Sequence, residues 1–339
     1  MLPFPLLALY SLAHFWVDLS CALLLFRNLL GSGDWMLCVL LYNFCAFALQ
    51  MPLGALADRL SRNGLLAASG CVLVAAAYLS PWGVVTAMTA GVGNALFHLG
   101  GGVDVLNRSK KRCAALGVFV SPGAFGLYLG TAWGKGVSTP LFIGPAVLLV
   151  LAAAILSLSR RCFGSLRSEN VPFDTAAPGG LWPVAPLFLV VVLRSYMGMN
   201  QAFSWKSTGH WALALTAALV LGKCAGGFLA DRIGAVRASN LSLGLAAALY
   251  LLSALPLPGT LAVFCFNMTM PITLWAVAQV MPGAKGFTFG LLTFALFVGV
   301  VPSFLGWPAL LTSPWAYAAA SLCSLLLLWW GLERGKGRC

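Results

Sequence analysis

Apolar residues come in twelve long runs separated by short polar gaps, near residues 4 to 29, 35 to 57, 64 to 80, 82 to 103, 113 to 134, 137 to 158, 183 to 203, 210 to 230, 238 to 255, 259 to 281, 287 to 308 and 312 to 331. A helix crossing a hydrocarbon core needs about 20 such residues, so each run predicts one crossing. Most gaps are too short to hold a soluble domain. The longer one, residues 159 to 182, is rich in Arg, Ser, Pro and Gly and predicts a cytoplasmic linker. It divides the chain into two six-helix bundles, residues 1–158 and 183–339, the second ending in a short basic tail. The first run outlasts the apolar part of a signal peptide and has no basic residue before it, so it is expected to be retained as a helix.

The polar residues that close these runs repeat. Gly54-Ala55-Leu56-Ala57-Asp58-Arg59 ends the second run, and Gly227-Phe228-Leu229-Ala230-Asp231-Arg232 ends the eighth, 173 positions later. At the same offset Asn94 aligns with Asn267, Gly117 with Gly290 and Gln50 with Lys223. Such spacing predicts two homologous halves in parallel.

Composition agrees with the pattern. The 339 residues are 60% hydrophobic and 8% charged, with a mean hydropathy of +0.93. That is too little charge to solvate a globule of this size, and it predicts an integral all-α membrane protein. The formal charge of +12 would suggest nucleic acid in a soluble chain. Here fifteen of the twenty Lys and Arg fall in alternate gaps and the tail, among them Arg59, Arg62, Lys110, Lys111, Arg112, Arg160, Arg161, Arg232 and Arg237. This bias places both termini in the cytoplasm and leaves no call for a nucleic-acid partner. The Lys110-Lys111-Arg112 cluster suits anionic lipid heads. His210, at the outer end of the eighth run, reads as interfacial, and Trp329 and Trp330 fit an aromatic belt. The ten cysteines are scattered singly, with no CxxC pair and no metal-ligand spacing. No metal or cofactor is called for, and no nucleotide-binding loop or outer domain suggests an enzyme.

Two parallel six-span halves, each carrying Gly-x-Leu-Ala-Asp-Arg between its second and third spans, resemble the major facilitator superfamily over nearly the whole chain. The superfamily motif G-x-L-a-D-R-x-G-R-K is met at Gly54, Leu56, Asp58, Arg59 and Arg62, with Ser61 in place of the second glycine and Asn63 in place of the lysine. The second copy keeps Gly227, Leu229, Asp231, Arg232 and Gly234, then departs at Ala235. The resemblance implies twelve transmembrane helices, a substrate site near the midplane between the halves, and a cytoplasmic gate formed by Gly54, Asp58, Arg59, Gly227, Asp231 and Arg232. An aspartate at a helix end is suited to that role, because the first N–H groups of another helix attract an anion.

Polar groups kept within the bilayer are costly and point to function. Ser11, His14, Asp18 and Cys21 recur at spacings of three, four and three, which puts them on one face of the first helix. His14 and Asp18 stand one turn apart, a pattern suited to a proton site. Asn94 and His98 repeat that spacing in the fourth span, and the resemblance places spans one, four, seven and ten around one cavity. The H-x-x-x-D of span one with Phe97-His98 of span four is similar to the fosmidomycin-resistance branch, although Leu99 stands where that branch has proline. Residues Gly117 to Gly126 partly resemble the antiporter motif of drug exporters, with Ser121 and Phe125 replacing two of its glycines. The second half supplies cations, Arg194 within span seven and Lys223 within span eight, with Asn200, Gln201, Asn267 and Trp275 as further candidates for contact with substrate. A buried guanidinium needs Asp18 or an anionic ligand.

These residues predict a monomeric secondary transporter in a cell membrane, a bacterial inner membrane for preference, working by alternating access. It would move a small anionic or zwitterionic organic solute or drug outward in exchange for protons held by Asp18 and His14. A proton-coupled uptake symporter or uniporter would share these features, and a lipid or lysolipid flippase would need an aliphatic lateral opening. A scaffold or receptor that transports nothing would have no use for the buried ionisable groups.

Overall fold

The computed structural model describes residues 2–109, 112–136, 142–165 and 172–335. Lys110, Lys111, residues 166–171 of the linker and the tail from 336 onward lie outside the described residues. What is described forms twelve helical stretches and no strand. They are α1 (Phe4–Leu29), α2 (Trp35–Leu60), α3 (Asn63–Ala77), α4 (Gly83–Arg108), α5 (Ala114–Gly136), α6 (Ile143–Phe163), α7 (Val184–Asn200), α8 (Trp211–Ile233), α9 (Ala235–Leu251), α10 (Pro256–Val280), α11 (Lys285–Phe304) and α12 (Pro314–Gly335). Among the described residues, eight of these are long and apolar enough to cross a membrane, and α3, α7 and α9 are shorter apolar helices. Helix α4 is 26 residues long, but Asn94 and His98 dilute its apolar character. Large apolar side chains stay exposed on α6 (Leu149, Val150), α9 (Leu241, Leu245) and α12 (Leu322, Leu326). Lipid tails cover such surfaces at no cost, so this is the build of a multi-pass membrane protein.

Several boundaries move relative to the apolar runs. Helix α4 continues past residue 103 to Arg108, because Asp104 is buried and satisfied rather than marking a gap. Helix α6 continues through Arg160 and Arg161 to Phe163, where Gly164 turns the chain at φ +68°. The first residues of the stretch 159 to 182 are therefore helical. Helix α7 stops at Asn200, which leaves Gln201 just outside it. Helix α5 breaks at Ser121, because Pro122 has no N–H to give the preceding turn. Helix α10 breaks at Met268 and Thr269, just before Pro271. The turn after α2 has Ser61 at φ +51°, and the turn after α8 has Gly234 at φ +88°. Ser61 is the residue that replaces the motif glycine, so the left-handed turn survives the substitution at a steric cost.

The structure divides into two compact units that are not contiguous in sequence. The first comprises Met1–Lys110, Pro122–Asp174 and Gly283–Phe294; the second comprises Lys111–Ser121, Thr175–Pro282 and Ala295–Cys339. Each unit thus holds one short segment from the other half of the chain.

In the first unit α3 lies directly on α4. A side chain at Gly70 would overlap Phe97 and the Gly93 carbonyl, and one at Gly100 would overlap Ala67 and the Asn63 carbonyl. The second part of α5 lies as tightly on α1, with Gly126 against the Phe15 carbonyl and Gly130 against that of Leu19. In the second unit α8 meets α10 in the same way, Gly222 at the Phe264 carbonyl and Gly226 at that of Met268. Helix association in lipid depends on such backbone contacts, because tails are as apolar as the side chains they replace.

A buried carboxylate ties three helices of the first unit. Asp104 of α4, 1% exposed, accepts from the Tyr10 hydroxyl of α1 at 2.8 Å and from Asn63 Nδ2 of α3 at 2.9 Å. Asn63 is the residue found in place of the motif lysine, and here it is a donor to this acid. Asp104→Ala strands both donors and should destabilise the protein by roughly 2 kcal/mol or more. Thermal unfolding in detergent, followed by cysteine exposure, checks this. An unchanged midpoint would mean that the network carries no stability.

Candidate functional site

Helix α1 delivers His14 and Asp18 from one face, and α4 delivers Asn94 and His98 to meet them. Asn94 Nδ2 donates to Asp18 Oδ1 at 2.9 Å. His14 Nε2 lies 3.2 Å from Asp18 Oδ2 and 2.8 Å from His98 Nε2. His98 Nε2 is 3.8 Å from Asp18 Oδ1. The imidazole rings meet edge to face with centroids 4.4 Å apart. His14 and Asn94 are buried, while the Asp18 and His98 side chains retain 20% and 14% exposure. The two pairs that spacing sets on α1 and α4 therefore form one cluster in three dimensions.

Gly123, in the second part of α5, closes one side. A Cβ there would overlap both His14 Nε2 and Asp18 Oδ2. This glycine lies in the stretch that partly resembles the antiporter motif. Its contact is with the cluster, which spacing along one helix could not reveal. Cys21 lies beside Asn94, Sγ to Nδ2 3.9 Å. Ser11 gives its hydroxyl to the Leu7 carbonyl of its own helix.

The hydrogen-bond chemistry restricts where protons sit. His98 Nδ1 is 2.9 Å from the Asn94 carbonyl, which only accepts, so Nδ1 carries a hydrogen. In the neutral ring Nε2 is then an acceptor. The hydrogen between the two Nε2 atoms therefore comes from His14, whose Nε2 also lies 3.2 Å from Asp18 Oδ2. A second proton on the His98 ring would make its Nε2 a donor, and the 2.8 Å contact would then need the His14 hydrogen on Nδ1. His14, Asp18 and His98 also bring their ligand atoms within 4.8 Å of one another, a set able to hold a metal ion. The sequence called for no metal, and the fold brings these three side chains within reach of one ion. The donors come from two helices 84 residues apart, out of reach of any spacing rule.

The second unit holds Arg194, 8% exposed. Its guanidinium donates to Thr269 Oγ1, at the break in α10, and lies over the Phe266 ring, 5.8 Å from the centroid. Its Nε is buried with no hydrogen-bond partner among the described residues. The described acids of this unit are Asp231 and Glu333, and no ion pair forms on Arg194 among the described residues. Thr269 was not anticipated, and the break that presents it follows from Pro271 two residues on. Asn267, the repeat partner of Asn94, donates to the Val263 carbonyl of its own helix. Asn200 donates to Tyr196 O and Ser303 Oγ. Lys223 is half-buried in α8. Trp275 Nε1 and Gln201 Nε2 are buried without an acceptor among the described residues.

Both motif aspartates sit on helix starts. Asp58 accepts from Gly286 N at 2.8 Å and Phe287 N at 2.9 Å, the first turn of α11. Asp231 accepts from Cys113 N at 2.6 Å and Ala114 N at 3.2 Å, the first turn of α5. Gly54 lies on the Gly286 carbonyl and Gly227 on that of Cys113, where a side chain would collide. Arg59 stacks over the linker residue Phe173, 4.8 Å from its centroid, and Arg232 is exposed.

No protein-family profile matches this sequence, and no curated protein matches it. Solved structures do match in fold. An E. coli fucose:proton symporter, FucP, superposes with a TM-score of 0.65 at 15% identity, covering 98% of this chain and 99% of that one. The human organic anion transporter MFSD10 gives 0.68 at 19% identity over 95% and 98% of the two chains. A bacterial homologue of the iron transporter ferroportin, in an outward-facing state, gives 0.66 at 13% identity over 97% and 98%. At these identities the likeness establishes the fold alone, one also seen in FucP, a major facilitator superfamily transporter, in its outward conformation.

The glycine at position 123 gives the cluster its own test. Gly123→Ala should push His14 and Asp18 apart from α5 and raise the rate at which diethylpyrocarbonate modifies His14 severalfold. Mass spectrometry of the modified histidines measures this, and an unaltered rate would mean that α5 does not enclose the cluster.

Proposed function

We propose that this protein is a secondary active transporter that works by alternating access and exchanges a small anionic or zwitterionic organic solute for protons. The observation that carries this reading is the contrast between the two buried charged groups. Asp18 is supplied with partners by His14, His98 and Asn94 of its own unit, whereas Arg194 has a hydroxyl for a partner and no carboxylate. A buried guanidinium left in that state favours an anionic ligand. A proton taken up by the His14–Asp18–His98 cluster changes its charge and hydrogen bonding, and reciprocity between proton and anion is what coupling requires. The fold is shared with a fucose:proton symporter and an organic anion transporter, which makes both halves of the reading reasonable for this chain.

In this mechanism Arg194 and Thr269 bind the anion, and Asn200, Gln201, Asn267, Lys223 and Trp275 complete its surroundings. Asp18 and His14 carry the proton, with His98 sharing it. Asp58 and Asp231 act as the gate, gripping the starts of α11 and α5 in one state and releasing them in the other. Uptake by symport would use the same groups with the order of binding changed, and a symporter shares the fold.

Reconstituted into proteoliposomes, the protein should move its solute in response to an imposed pH gradient. Asp18→Asn should abolish gradient-driven transport while solute exchange without a gradient survives; full gradient-driven transport by that variant would remove Asp18 from the coupling role. Arg194→Ala should weaken solute binding at least tenfold, with partial recovery in Arg194→Lys. Unchanged binding in Arg194→Ala would show that the anion is held elsewhere.

A further inference from the structure

The cluster in the first unit has the chemistry of a metal site as well as of a proton site. Three donors converge, the Nε2 atoms of His14 and His98 and a carboxylate oxygen of Asp18, all within 4.8 Å of one another. Two imidazoles with one carboxylate suit a first-row divalent transition metal and do not suit calcium or magnesium, which take oxygen ligands. Support for the donors is in place. His98 gives its Nδ1 hydrogen to the Asn94 carbonyl, which fixes the ring and turns the Nε2 lone pair toward the cluster. Metal-binding histidines are oriented by this kind of second contact. Asn94 Nδ2 holds Asp18 Oδ1, leaving Oδ2 beside His14 Nε2.

Size is compatible too. Zinc binds imidazole nitrogen at about 2.0–2.1 Å, so two nitrogens on a tetrahedral ion stand roughly 3.4 Å apart. The two Nε2 atoms are at 2.8 Å and need to separate by only about half an ångström. The bare backbone of Gly123 borders His14 Nε2 and Asp18 Oδ2, so no side chain competes for the space in front of them. Three protein ligands leave a coordination position open to water or to a donor group on a solute.

We propose that His14, Asp18 and His98 bind one divalent transition-metal ion of the zinc and cobalt type. The inference concerns the same cluster as the coupling site, and its consequence for transport rests on that reading. Binding itself stands on the donor geometry. A metal held there would occupy the place of the proton shared by the histidines, and would act either as cargo or as a block on proton coupling.

The test uses the full chain, purified in detergent, with accessible thiols first alkylated so that cysteines do not bind metal. Titration with Co²⁺ should give one equivalent bound, seen as a visible ligand-field spectrum that Zn²⁺ displaces. His14→Gln and His98→Gln should each weaken binding at least tenfold. Asn94→Ala, which removes the amide beside Asp18 and keeps the carbonyl that holds His98, should weaken it about tenfold. His210→Gln, altering an exposed histidine, should leave it unchanged. No metal-dependent spectrum, or undiminished affinity in both His14→Gln and His98→Gln, overturns the proposal. If those variants fail to fold, wild-type footprinting decides. Zn²⁺ should protect His14 and His98, and not His210, from diethylpyrocarbonate, and equal modification with and without metal overturns it. Metal binding absent while Asp18→Asn still abolishes pH-driven transport sinks this inference alone. Metal binding present with full gradient-driven transport by Asp18→Asn sinks the coupling reading alone.

Discussion

The architecture depends on one contact made twice, a carboxylate set on the unpaired N–H groups of a helix start. Asp58 holds Gly286 and Phe287, and Asp231 holds Cys113 and Ala114. The two contacts are related by the same 173-residue offset that relates the aspartates, because Cys113 and Ala114 are the repeat partners of Gly286 and Phe287. The first N–H groups of a helix have no partner within it, and their partial positive charge favours an anion there. Glycine at Gly54 and Gly227 lets the backbones approach closely enough for the carboxylate to reach both groups. Each compact unit consequently contains a segment contributed by the other half of the sequence. Each contact is built from one carboxylate and two backbone amides of a helix start.

The repeat is as informative where it fails. Asn94 and Asn267 are equivalent in sequence, yet one supports Asp18 and the other caps a carbonyl of its own helix. Arg194 occupies the position equivalent to Cys21. One half thus carries an acid surrounded by imidazoles, and the other a guanidinium resting on a threonine. Buried charges are costly in lipid unless they are compensated, so the two halves solve the same problem differently. The first compensates with its own side chains. The second gives its guanidinium a threonine hydroxyl and, among the described residues, no carboxylate.

Some features were open to inspection along the chain. His14 and Asp18 are one helical turn apart, as are Asn94 and His98, and periodicity alone places each pair on a face. Asp104 lies just past the apolar run near residues 82 to 103, where a polar gap is expected. Its burial depends on Tyr10 and Asn63, which lie on other helices. Gly123 and Thr269 carried no signal beyond a nearby proline, since a glycine in front of a histidine and a hydroxyl in front of a guanidinium are relations between helices.

The sequence by itself determined the helical class, the number of apolar runs, the two-fold repeat and the residues able to carry charge. These follow from local rules of hydropathy and helical period. The tertiary structure decided that His14, Asp18 and His98 share one centre, that Asn94 and Gly123 shape it, and that Arg194 rests on Thr269. It also decided where the two repeated aspartates, so plain in the sequence, place their charge. No spacing along one chain fixes the distance between side chains on different helices. That distance is set by how closely glycine-bearing backbones pack.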